Sequence, residues 1–154
     1  MGINKPSFHY SGITNVQWGK NVQVVQPVNL YGCKIGDDCF IGPFVEIQKG
    51  VIVGDSTKIQ SHTFICELVS IGSGCFIGHG VMFINDRFID GKPATGNKEK
   101  WESTFIGNKV SIGSNATILP VKICDNVVIG AGAVVTKDIL ASGKYAGNPA
   151  KRVL

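Results

Sequence analysis

Charge, histidine and paired cysteine are all scarce in this sequence. Charged residues make up 17% of its 154 positions, and no run of Lys or Arg occurs. A nucleic-acid partner is therefore not expected, since such surfaces cluster their cations. The five cysteines, Cys33, Cys39, Cys66, Cys75 and Cys124, form no C-x-x-C pair, which removes the common zinc and dithiol motifs. No apolar stretch approaches the about 20 residues that a membrane-spanning helix needs, so no membrane is expected. The opening MGINKPSFHYSG lacks the charged-then-apolar design of a signal peptide. Pro6 stands where a myristoylation pattern requires Ser or Thr. These absences lead to the expectation of a soluble, reduced, cytoplasmic protein with no metal.

Glycine is abundant, at 20 residues, and recurs at intervals instead of clustering. That pattern fits repeated tight turns. The hydrophobic set, at 44%, is that of a globular chain. The net charge of +4 and pI near 8.8 describe either an ordinary basic surface or a mild attraction for phosphate-bearing ligands.

A six-residue period organises the chain. Steps of six from Ile35 meet Ile41, Ile47, Val53, Ile59, Ile65, Ile71, Ile77 and Phe83, all large and apolar. Four positions after each large residue from Ile35 to Ile77 stands a small or β-branched one: Cys39, Val45, Val51, Thr57, Thr63, Val69, Cys75 and Val81. Gly often follows the large residue, as at Gly36, Gly42, Gly54, Gly72 and Gly78. Six is not a helical period but is a multiple of the strand period of two. Each hexapeptide thus reads as one short strand and one turn, with the large residue and its partner four later on the same side. Three hexapeptides close a triangular coil of eighteen residues, and coils stack at about 4.8 Å. Backward the repeat runs through Leu30, Val24 and Trp18, with a five-residue unit between Leu30 and Ile35. Forward it resumes at Ile106, Ile112 and Ile118, shortens by one, and continues at Ile123, Ile129 and Val135. The expectation is an all-β parallel β-helix of about six coils, a single domain over residues 1–154.

Two segments break the repeat. The loop 84–105, INDRFIDGKPATGNKEKWESTF, is charged and carries Trp101. A long insertion in a regular coil tends to be functional, and a lid over a ligand or a neighbouring chain is expected. The tail 140–154, LASGKYAGNPAKRVL, leaves the six-residue frame and carries Lys144, Lys151 and Arg152. It reads as the cap that a solenoid end requires and as a phosphate-binding arm.

Eighteen-residue arithmetic also predicts neighbours. Lys49, Glu67 and Asn85 form one column, at the corner after Ile47, Ile65 and Phe83. Pro43, Ser61 and His79 form a second, and Phe44, His62 and Gly80 a third beside it. Two of the three histidines thus share a corner, and Asn85 stands at the root of the long loop. A corner histidine serves either a site or a turn carbonyl. If chains pack about a threefold axis, the histidine pair of one chain meets Asn85 and Asp86 of the next. Cys39 and Cys75 lie two coils apart in an inward column and read as small core residues.

The stretches GPFVEIQKG (42–50), SHTFICE (61–67), FIGHGVMFINDRF (76–88), SIGSNATILPV (111–121), VVIGAGAVVTKDI (127–139) and YAGNPAK (145–151) resemble the left-handed β-helix acyltransferases. Among these they are similar to N-acetyltransferases of nucleotide-linked 3-amino sugars, of the UDP-2-acetamido-3-amino-2,3-dideoxyglucuronate or dTDP-3-amino-3,6-dideoxyhexose type. The resemblance covers nearly the whole chain. It implies left-handed coils, against the general right-handed rule for parallel crossovers. It also implies a homotrimer with active sites between subunits, and a role in surface (lipopolysaccharide) biosynthesis. Acetyl-CoA would be the co-substrate, lying along Gly113, Ser114, Gly130 and Ala131, with Lys137, Lys151 and Arg152 on its phosphates. The acceptor would be the amino group of a nucleotide-linked amino sugar. Gln48, Lys49, His62, Glu67 and Arg87 stand as substrate-binding residues, Lys49 and Arg87 meeting either a sugar carboxylate or a pyrophosphate.

One departure bears on the chemistry. Relatives that acetylate hydroxyls carry a histidine near the start of the long loop, where this chain reads Ile84-Asn85-Asp86-Arg87. A hydroxyl must lose a proton during attack and needs a base. A neutral amine is already a nucleophile, so positioning does much of the work. Asn85 is expected to accept a hydrogen bond from the amine and aim its lone pair. His79 or Asp86 would take the surplus proton, and a backbone amide would stabilise the oxyanion. The competing readings are an O-acetyltransferase acting on a sugar hydroxyl and a non-catalytic scaffold, which the fold alone does not exclude. A zinc enzyme on this fold would need three histidine ligands, and His9 lies outside the repeat.

Overall fold

The computed structural model describes residues 6–153. The first five residues of the N-terminal stretch and Leu154, the last residue of the cap, lie outside the described residues. Strands of two to four residues form three parallel faces of a left-handed β-helix. The first face stacks Ile13–Thr14, Asn29–Tyr31, Glu46–Ile47, Phe64–Ile65, Met82–Phe83, Thr117–Ile118 and Val134–Val135. The second stacks Gln17–Trp18, Lys34–Ile35, Ile52–Val53, Val69–Ile71, Thr104–Ile106 and Lys122–Ile123. The third runs through Gln23–Val24, Phe40–Ile41, Lys58–Ile59, Phe76–Ile77, Ser111–Ile112, Val127–Ile129 and Gly143–Ala146.

The registers follow the eighteen-residue rule: Phe64 pairs with Glu46 and with Met82, and Phe76 pairs with Lys58. Every large residue of the repeat from Leu30 to Val135 points inward and is buried. The position four further on is equally dry, and where it is polar its group is satisfied. Thr57 Oγ1 donates to Gly72 O at 3.0 Å and Thr63 Oγ1 to Gly78 O at 2.9 Å. Cys39 and Cys75 occupy the equivalent place, their thiols 3.2 and 3.1 Å from the carbonyls of Gly54 and Gly107. They are core residues that tie each coil to the corner of the next.

The glycines after the large residues have a different task from the one their turn position suggests. Their backbone is not left-handed; the coil above leaves no room for a side chain. A Cβ on Gly54 would stand 2.6 Å from Gly72 C and 2.7 Å from Ser73 N. The left-handed residue of each corner comes two positions later, for example Asp38, Phe44, Ser56, His62 and Leu68, with φ of 55°, 61°, 55°, 63° and 70°.

The stack begins earlier than Trp18, at Ile13, which pairs with Leu30. Both Ile13 and Trp18 face inward but are 41% and 42% exposed, because they form the open end. At the other end the tail adds one more rung, Gly143–Ala146. It then folds back antiparallel as Lys151–Val153, capping the third face. The long loop leaves at the corner between the first and second faces. It includes a short 3-10 turn, Lys98–Lys100, capped by the Asn97 side chain.

Candidate functional site

The long loop folds back over the corner it springs from and encloses a cleft of about 590 Å³. The coil supplies Gln48, Phe64, Cys66, Phe83 and Leu119; the loop supplies Ile84 to Phe88 and Trp101. Glu102 N donates to Asn85 O at 2.9 Å, which draws the two ends of the loop together, and Arg87 Nη2 donates to Pro120 O of the stack. Arg87 Nε also lies 3.2 Å from Glu102 Oε1, an ion pair too bent to count as a hydrogen bond, which leaves this buried nitrogen without one. Asp86 fastens the loop internally. Its two oxygens accept the backbone N–H of Phe88 at 2.9 Å and of Ala94 at 2.7 Å.

A ladder of polar side chains climbs this corner. Asn29 Nδ2 donates to Glu46 Oε2 at 3.1 Å, Gln48 Nε2 to Glu46 Oε1 at 3.1 Å, and Glu67 N to Gln48 Oε1 at 3.2 Å. Asn85 Nδ2 then donates to Glu67 O at 3.2 Å. The last bond fixes the sense of the Asn85 amide: its donor is committed to the coil, so its Oδ1 remains as an acceptor beside the cleft. Tyr31 stands within this ladder. Burial, and after it the nearby Glu46 and Glu67 carboxylates, raise its phenol above the ordinary value. Cys66 lines the cleft as a neutral thiol, since burial pushes it up to about 12.

The histidines occupy another corner, between the third and first faces. His79 Nδ1 lies 2.8 Å from Ser61 Oγ, and His62 stacks on Phe44 with ring centroids 4.8 Å apart. Both rings are exposed, and neither lines the cleft. The registers Ile77↔Ile112 and Ile112↔Ile129 continue this corner upward, placing Ser114 and Ala131 above His79 and Gly113 beneath Gly130.

Residues 32–67 match the family described as bacterial transferase hexapeptide (six repeats), and residues 104–137 match the hexapeptide repeat of succinyl-transferase. Both matches fall on the stacked coils. Among curated relatives of this hexapeptide-repeat chain is the bifunctional protein GlmU of Clostridium botulinum (strain ATCC 19397 / Type A), 40% identical over 107 residues. That match covers 69% of this chain and 21% of the relative. The chain thus spans about a fifth of that protein. Among solved structures, a galactoside acetyltransferase in complex with coenzyme A is 27% identical with a TM-score of 0.65, over 92% of this chain and 64% of that one. A variant of GDP-perosamine N-acetyltransferase from Caulobacter crescentus, in complex with CoA and GDP-perosamine, shares the fold at 20% identity and a TM-score of 0.64. It covers 94% of this chain and 58% of that one. The hexapeptide-repeat chain therefore has the acetyltransferase fold.

The residues singled out in the sequence fall into two groups. Gln48, Asn85, Asp86 and Arg87 line the cleft, and Glu67 touches it through Gln48 and Asn85. Lys49 shares their corner but is exposed, its stem against Gly32. His62, His79, Gly113, Ser114, Gly130 and Ala131 share the other corner of the same chain. Lys137 stands apart from that second group, two rungs above Asn85, given the registers Phe83↔Ile118 and Ile118↔Val135. Lys151 and Arg152 sit on the terminal hairpin, where Arg152 Nη2 donates to Ser142 O at 3.1 Å. Sequence reasoning missed Tyr31, Glu46 and Lys98. Glu46 was reachable, because it stands eighteen before Phe64. Lys98 was not, since the loop carries no register. Among the described residues no group of three or more His, Cys, Asp or Glu is placed to hold a metal.

Proposed function

We propose that this protein is an acetyl-CoA-dependent N-acetyltransferase acting on the amino group of a UDP- or dTDP-linked amino sugar. The observation that carries the reading is the committed Asn85 amide, which keeps Oδ1 as an acceptor on a residue of a cleft lined by no histidine of its own chain. Such a cleft can hold an amine N–H and direct its lone pair, while the chain that forms it supplies no imidazole of its own there to deprotonate a hydroxyl. The nitrogen attacks the thioester carbonyl carbon, the C–S bond breaks, and the amine's proton leaves with the departing thiolate as CoA thiol. Arg87 and Lys49 then meet the acceptor's negative groups, and Asp86 keeps the loop root in place. The coenzyme would lie along Gly113, Ser114, Gly130 and Ala131, with Lys151 and Arg152 near its phosphates and Lys137 reaching them from the neighbouring subunit. Coenzyme A in the 27%-identical galactoside acetyltransferase supports that choice of co-substrate. Three chains about a threefold axis would bring the corner of His62 and His79 from one subunit to the loop cleft of the next, which would unite the two groups in one site.

That same relative favours a second reading. A galactoside offers hydroxyls, so O-acetylation of a sugar is the alternative, with His79 of a neighbouring subunit as base. One assay separates them: acetyl-CoA with UDP- and dTDP-linked 3-amino sugars, their hydroxyl counterparts and a free amino sugar, followed by thiol release and product mass. Turnover of the nucleotide-linked amine alone supports the first reading. Turnover of the hydroxyl compounds alone overturns it. Absence of both turnover and CoA binding leaves a scaffold.

A further inference from the structure

The described residues contain three ion pairs. Two, Arg87–Glu102 and Lys100–Asp90, hold the long loop to itself, and the third crosses from loop to coil. In that pair Lys98 Nζ stands 2.8 Å from Glu67 Oε1 and 2.6 Å from Oε2, so one ammonium is shared by both carboxylate oxygens. The same nitrogen lies 5.2 Å from the centroid of the Trp101 ring, and Trp101 lines the cleft. A carboxylate and an indole face together form a receptor for an ammonium ion. The receptor adjoins Asn85, whose Nδ2 is bonded to the backbone carbonyl of the same Glu67. The Glu67 side chain is 21% exposed, while that of Lys98 is 58% exposed. The receptor is therefore built into the corner, and its occupant hangs from solvent.

We propose that Glu67 and Trp101 form an ammonium subsite for the protonated acceptor amine, and that Lys98 fills it as an internal substitute until the acceptor displaces it. The idea rests on the amine reading above and adds to it. The acceptor is recognised as a cation, releases one proton to solvent, and is then aligned as the neutral nucleophile, and the loop is unlatched by the substrate itself. An exposed ion pair is weak and readily exchanged. The substitute therefore selects against neutral sugars, which cannot replace it on Glu67, and it lowers the apparent affinity for amines by the fraction of time the subsite is filled.

The test is Lys98→Ala, with Lys98→Met to keep the stem without the charge. Both should lower the KM for the nucleotide-linked amino sugar by about fivefold, as removal of an internal competitor requires. Glu67→Gln should raise it. If Lys98 is only a clamp, both lysine variants raise KM, and the proposal is overturned. Should the wild-type protein acetylate no amino sugar, the amine reading fails by itself. The subsite is then measured directly through Trp101 fluorescence in a Trp18→Phe background, titrated with propylammonium chloride. Tighter binding in Lys98→Ala would uphold the subsite; equal or weaker binding would refute it.

Discussion

Replacing Asn85 with alanine separates the chemical role of the amide from its structural one. The change removes the Oδ1 acceptor and the 3.2 Å bond from Nδ2 to Glu67 O. The second loss costs about 0.5–1.5 kcal/mol of stability, the ordinary worth of one such bond. A domain of typical stability, about 5 kcal/mol or more, would still be over ~99% folded. Loss of alignment is the larger effect. A misplaced nucleophile costs about a hundredfold in rate, which is roughly 2.7 kcal/mol of barrier. Turnover with the nucleotide-linked amino sugar should therefore fall about a hundredfold while the urea midpoint moves little. Asn85→Asp is the informative partner. It keeps an acceptor but sets a carboxylate against the Glu67 carbonyl, so it should lose stability and retain more activity than the alanine variant. Thiol release and product mass read the first quantity, and urea unfolding followed by far-ultraviolet dichroism reads the second. Turnover of Asn85→Ala within threefold of the wild type would refute the role given to this amide.

Other outcomes follow from the stack itself. Gly54→Ala drives a methyl group into the backbone of Gly72 and Ser73, at 2.6 and 2.7 Å, and should cost about 2 kcal/mol or more; a urea midpoint unchanged from wild type would refute that. Ser56→Gly relieves a left-handed residue, φ 55°, at an exposed corner. The gain, up to about 1 kcal/mol, is offset in part by the freer unfolded chain, so thermal unfolding should shift upward slightly. Burial raises Cys66 from 9.0 to about 12. Its protonated form is thus favoured in the folded state, and the stability it confers is complete below pH 9 and lost as pH rises toward 12. Urea midpoints taken from pH 8 to 11 should fall less steeply in Cys66→Ala than in wild type.

The parts of the molecule that repeat were legible in the sequence, and the parts that do not repeat were not. The inward columns could be read because side-chain direction in a strand has a fixed period, so Ile47, Ile65 and Phe83 had to stack. The polar column Glu67–Asn85 was readable by the same arithmetic and is joined by a hydrogen bond. Glycine misled, because turn chemistry and close backbone approach select the same residue, and only the distance from Gly54 to Gly72 tells them apart. The contact of Lys98 with Glu67 was invisible, since it depends on a loop path that no period constrains.

The long loop leaves and rejoins the stack at one corner, and this has a consequence for how such a protein can change. Ser73 and Asn108 meet across this coil at a separation of 35 residues, where Asp37 and Asp55 meet at 18, yet the rungs on either side stay in register. Extra sequence is absorbed sideways and never reaches the ladder. Lengthening such an excursion costs only about 0.6 kcal/mol per doubling. The segment that roofs the cleft can therefore be exchanged as a cassette between chains of this architecture, so that the lining of one corner is renewed while the remaining coils are left untouched.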